Sequence, residues 1–91
     1  MDEQSVIHVA APEKTADLEG GGMVVQKDGV AYGLNPVGRR IWELVQQPVR
    51  VDAVRDTLLQ EYDVGAERCT QELLALLDDL ALRGLVKLEN G

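Results

Sequence analysis

Residues 23–36 read Met23-Val24-Val25-Gln26-Lys27-Asp28-Gly29-Val30-Ala31-Tyr32-Gly33-Leu34-Asn35-Pro36, a hairpin that hands over to a helix. Two short β-prone runs flank Asp28-Gly29, a pair that accepts positive φ and so favours the two-residue turn whose twist matches antiparallel strands. At the far end Asn35 can accept hydrogen bonds from the orphan N–H groups of a first helical turn. Pro36 at the next position has no N–H to leave unpaired.

Working outward from this stretch, Ser5–Ala10 (SVIHVA) alternates weakly and is expected to be a first strand. Residues 11–22 contain Pro12, several acids and the run Gly20-Gly21-Gly22, and read as a mobile loop. On the C-terminal side, Val37, Ile41, Trp42, Leu44 and Val45 recur at helical spacing until Gln47-Pro48. A second helix is expected over about 51–62, with Val51, Val54, Leu58, Leu59 and Tyr62 facing inward and Arg50 in a poor capping position. A third, over about 66–83, carries the stripe Cys69, Leu73, Leu76, Leu77 and Leu80. Gly84 suits the residue after its end, and Leu85–Glu89 should pack back as an extended segment. The fold class is α+β, a three-stranded antiparallel sheet followed by three helices, in a single domain spanning residues 1–91.

The bulk numbers narrow the function. Ninety-one residues with 45% hydrophobic and 27% charged side chains suit one modest globular core. No apolar stretch approaches the ~18–20 residues that span a bilayer. The acidic N-terminus is unlike a signal peptide, and one cysteine cannot form an internal disulfide. The expected compartment is the cytoplasm, with no membrane partner. Nine basic against sixteen acidic residues leave a net charge of −7, which disfavours phosphate-rich partners, so nucleic acid is not expected.

Catalysis lacks parts. Cys69 lies within the apolar stripe of the third helix and reads as buried filler, and His8 has no second ligand to make a metal site. Asp78 and Asp79 are neighbours on a helix and diverge by about 100°, so they cannot share a proton across a substrate; a solvated face is the reading for Asp79. The glycine run matches no phosphate loop. No enzyme activity, cofactor or metal is expected. Shape remains: Val30, Ala31, Tyr32, Gly33 and Leu34 form the edge strand of the expected meander, offering unpaired N–H and C=O groups to an extended visitor. Beside the core stripe of helix three, Leu74, Asp78, Ala81 and Leu85 form an apolar shoulder with one acid in it, which either widens the core or walls a groove.

The segment Tyr32-Gly33-Leu34-Asn35-Pro36-Val37-Gly38, then Ile41-Trp42-Glu43-Leu44, Glu61-Tyr62-Asp63-Val64, Leu73-Leu74-Ala75-Leu76-Leu77 and Arg83-Gly84-Leu85-Val86, resembles the PqqD-like family over about residues 22–88. Within it the chain is most similar to the small stand-alone B1 proteins of lasso-peptide biosynthesis. The resemblance implies a winged helix-turn-helix-like domain, a RiPP recognition element that binds the leader of a ribosomally made precursor peptide. The leader would add as an antiparallel strand to Val30–Leu34 and pack on helix three at Leu74, Leu77, Asp78 and Ala81. The implied partners are that leader peptide, a cysteine-protease-type leader peptidase and a macrocyclase. Arg50 and the acidic, Gly-rich loop 11–22 depart from the family pattern. Two rival readings are a DNA-binding winged-helix regulator, which needs a basic face on helix three, and a subunit whose strand edge pairs with its own copy; a monomer is expected.

Overall fold

A computed structural model describes residues 2–10 and 14–89. Ten elements follow one another: β1 (Val6–Val9), β2 (Lys14–Asp17), a single 3-10 turn (Glu19–Gly21), β3 (Met23–Lys27), β4 (Val30–Leu34), α1 (Pro36–Leu44), β5 (Val49–Arg50), α2 (Val51–Glu61), α3 (Ala66–Leu82) and β6 (Val86–Glu89). The expected α+β class and all three helices are present. The strands divide into two antiparallel three-stranded sheets, ordered β5-β1-β6 and β2-β3-β4.

The hairpin forms where the sequence places it. Asp28 and Gly29 both have positive φ, 52° and 78°, so the turn is of the primed kind and Lys27 pairs with Val30. Asn35 caps α1 through its side-chain oxygen, which accepts from the Gly38 N–H at 2.7 Å. The end of α3 is a Schellman motif: the Gly84 N–H reaches the Ala81 carbonyl and the Leu85 N–H reaches that of Leu80, at 3.0 and 2.8 Å. Gly84 supplies the left-handed residue, φ 76°, and Leu85 is wholly buried behind it.

Two expectations about strands are corrected. The first strand does not join the meander: β1 lies between β5 and β6, with Ile7 opposite Val49 on one side and Leu88 on the other. The meander's first strand lies instead within the stretch read as a loop, where Lys14–Asp17 pairs with β3 from Lys14–Gln26 to Asp17–Met23. All four residues of β2 are exposed, so no hydrophobic alternation marks them; backbone pairing and an Arg39–Asp17 ion pair at 3.0 Å hold them in place. Gly20 and Gly21, φ 85° and 94°, turn the chain from β2 into β3. At Gly22 a Cβ would stand 2.5 Å from the Leu34 carbonyl oxygen, so only glycine fits against the end of β4. Residues 11–13 of the expected loop lie outside the described residues.

The core is continuous. Ile7 and Val86 from one sheet, Met23, Val25 and Leu34 from the other, and Ile41, Trp42, Val45, Val54, Leu58, Leu73, Leu77 and Leu80 from the helices form a single buried cluster. The poorly capped start of α2 has a tertiary solution: the Val51 and Asp52 N–H groups donate to the Ser5 and Glu3 carbonyls at 2.9 and 2.8 Å, replacing the missing side-chain cap. Among the described residues no helix is long and apolar enough to cross a membrane.

This difference between the helix starts has a measurable consequence. Asn35→Ala is expected to cost about 1 kcal/mol. Arg50→Ala should stay within about 0.5 kcal/mol, because no cap is lost. Urea unfolding with an unchanged m-value checks both, and equal losses would contradict the assignment of caps.

Candidate functional site

Strand β4 pairs with β3 and with no other described strand, so one side of it is open. The turn decides which groups face that side. A two-residue hairpin closes on a hydrogen-bonded pair, here Lys27–Val30, and antiparallel pairing then alternates. Tyr32–Val25 and Leu34–Met23 are thus the bonded pairs, whereas Ala31–Gln26 and Gly33–Val24 are not. The N–H and C=O groups of Ala31 and Gly33 therefore point away from the sheet, and no backbone bond from elsewhere in the described chain reaches them. Their small side chains share the exposed face of the strand, while Leu34 is buried and Tyr32 half-buried.

Tyr32 couples the strand to α3. Its hydroxyl donates to Asp79 Oδ2 at 2.6 Å, Arg83 Nε donates to the other oxygen of that carboxylate at 3.2 Å, and the guanidinium carbon of Arg83 stands 5.0 Å from the centre of the Tyr32 ring. The Tyr32 hydrogen bond, helped by Arg83, holds the Asp79 carboxyl below its ordinary range. The same bond, with burial and the carboxylate charge, pushes the Tyr32 phenol upward. Asp79, expected to be merely solvated, is thus a structural acceptor.

Next to this brace opens a cavity of about 420 Å³. Tyr32, Gly33 and Leu34 of β4, Val37 and Ile41 of α1, Leu58 of α2, Tyr62 and Val64 after it, and Cys69, Glu72, Leu73 and Leu76 of α3 contribute to its wall. The wall is mostly apolar, and Glu72 is its one charged side chain. Burial raises the Cys69 thiol above its usual range, with the Glu72 charge acting in the same direction. Cys69 is the buried filler that its place in the stripe implies, although it also meets the cavity. Among the described residues no three His, Cys, Asp or Glu side chains gather as a metal site.

The structure brings together only part of the expected set. Tyr32, Gly33 and Leu34 meet the cavity, with Val30 and Ala31 exposed further along the same strand. Leu77 is fully buried in the core, Leu74 and Ala81 pack against that core, and Asp78 is exposed; none of these four lines the cavity. Helix geometry explains the difference. At about 100° per residue, Glu72, Leu76, Asp79 and Arg83 lie on one flank of the core stripe and Leu74, Asp78 and Ala81 on the other. Both flanks carry a leucine and an acid, so composition cannot choose between them. The signal that chooses is the long-range bond from Tyr32 to Asp79. Val37 and Val64, 41% and 46% exposed, also line the cavity; Val37 opens the apolar series of α1 and Val64 follows α2, and nothing local in the sequence marks either as turned toward β4.

The brace has a spectroscopic signature. One of the two tyrosines is expected to titrate above the ordinary phenol value in ultraviolet difference spectra, and Asp79→Ala should bring it down. Asp79 has a lowered folded value, so its contribution is present above the unfolded carboxylate value and lost as pH falls through the folded one. The stability gap between wild type and Asp79→Ala should therefore close below about pH 4. A gap that persists in acid would rule out this linkage.

Residues 9–86 match the family described as Coenzyme PQQ synthesis protein D (PqqD). Among solved structures, TbiB1 in complex with the TbiA(beta) leader peptide is similar, with a TM-score of 0.75 and 26% identity over 88% of this chain and 94% of that one. No curated protein matches the chain. Because the family match runs from the last residue of β1 to the first of β6, through the meander, the brace and all three helices, the chain belongs to the PqqD family.

Proposed function

We propose that this chain is a RiPP recognition element that binds the leader segment of a ribosomally made precursor peptide. The leader adds as an antiparallel strand to β4, and its inward side chains enter the cavity between β4, α1 and α3. The observation that carries this reading is the open edge at Ala31 and Gly33 beside an apolar cavity. Main-chain bonds supply affinity in this mode and the cavity supplies selection. The likeness to TbiB1, solved with a leader peptide bound, supports the same ligand class. The recognition surface proposed here comprises Ala31 and Gly33 for backbone pairing, with Leu34, Val37, Val64, Leu73 and Leu76 for side-chain contact.

On this reading the chain is not an enzyme and needs no cofactor. It works as a monomer in the cytoplasm and presents the leader to a cysteine-protease-type peptidase and a macrocyclase in lasso-peptide biosynthesis. A DNA-binding role gains no support, because the two arginines of the α3 region, Arg68 and Arg83, are paired with Glu72 and Asp79, leaving a poor surface for phosphate.

Fluorescence anisotropy with a labelled leader peptide, from the precursor gene neighbouring that of this chain, tests the proposal. Ala31→Pro removes one outward N–H and should weaken binding by about 0.5–1.5 kcal/mol with the fold intact, since proline is tolerated where an edge N–H faces solvent. Tyr32→Pro removes a bond to β3 and the brace as well, and should lower the melting temperature. Leu76→Asp should weaken the complex by about 1–3 kcal/mol. Unchanged affinity in folded Ala31→Pro and Leu76→Asp would place the ligand elsewhere.

A further inference from the structure

Among the described residues, Glu72 is the one charged side chain on a mostly apolar wall whose other polar groups are neutral. Its present partner is Arg68, one helical turn away at 3.0 Å, but the two side chains are 67% and 80% exposed. A pair so exposed is worth little and exchanges readily. The other carboxylate of the same flank, Asp79, is already committed to Tyr32 and Arg83. Glu72 is therefore the acid on this flank free to meet a ligand, and its position above apolar contacts would strengthen any ion pair that a bound chain shields from water.

We infer that the bound segment carries a lysine or arginine that pairs with Glu72, making this residue a specificity determinant for a cationic extended peptide. The inference rests on the leader-binding reading above and adds the charge and position of the recognised residue. The net charge of −7 favours the approach of a cationic segment. Position follows from the brace. Asp79 marks the level of Tyr32, and Glu72 lies seven residues back along α3, about 10 Å of helix. The cavity extends from Tyr32 through Leu34 toward Val37 on one wall and from Leu76 to Cys69 on the other. Moving back along α3 thus corresponds to moving forward along β4. A strand advances about 3.4 Å per residue and its side chains alternate between faces, so on an antiparallel visitor the cation falls about two or four residues N-terminal to the residue opposite Tyr32, on the face turned to α3.

The test uses the full chain and fluorescein-labelled variants of the neighbouring-gene leader. Each of the five positions N-terminal to the residue set opposite Tyr32 is in turn made Lys, Gln or Glu. Wild type should favour Lys over Glu by about tenfold at one position and by little at the others, with the preference shrinking in high salt. Glu72→Gln should weaken binding of the Lys variant by about three- to fivefold, Glu72→Lys should invert the preference, and Arg68→Ala should tighten binding by removing the competitor. Leader binding with no position at which charge and Glu72 are coupled overturns the inference and leaves the leader-binding reading standing. No binding of any variant overturns both.

Discussion

The structure turns on the alternation of hydrogen bonding across the β3–β4 hairpin. Once Asp28 and Gly29 adopt positive φ, Lys27 and Val30 must exchange bonds, and every later pairing follows. The amides of Val30, Tyr32 and Leu34 are consumed by β3, and those of Ala31 and Gly33 are left for something else. Unpaired main-chain groups at the edge of a sheet invite another strand. Here they sit beside a mostly apolar cavity. In the proposed binding mode the main-chain edge and the cavity that would take the visitor's side chains are set by the same turn.

The remaining elements hold that edge at a fixed distance from α3. Tyr32 reaches Asp79 at 2.6 Å, and Leu34 buries its side chain in the core while its carbonyl stands against Gly22. Asn35 then starts α1 without a residue to spare, and α1 forms the third side of the cavity. The second sheet serves the helices. Strand β1 ties β5 before α2 to β6 after α3, and the segment just before β1 supplies the carbonyls that cap α2. Segments distant in sequence thus fix the two helices that flank the site.

Charge is distributed with the same economy. Arg39, Arg40 and Arg55 connect separate elements through Asp17, Glu61 and Glu3, exposed contacts that contribute modestly to stability and mainly orient their neighbours. Asp79 and Arg83 belong to the Tyr32 brace. Glu72, with only a solvent-exposed partner on its own helix, differs from these in having little structural use.

Local chemistry in the sequence determined the hairpin, the Asn35-Pro36 helix start, the three helices and the glycine stop after α3, because turns, caps and apolar periodicity depend on residues a few positions apart. It also named β4 as an edge. Strand β2 escaped notice since four exposed residues carry no periodicity, and β1 was placed in the wrong sheet because a short alternating run does not encode its partner. The flank of α3 that faces β4 was decided only by tertiary structure. Leu74 and Leu76 border the same core stripe from opposite sides and both pack against the core, but the contact across 47 residues from Tyr32 to Asp79 marks the flank of Leu76 as the one that meets β4 and the cavity.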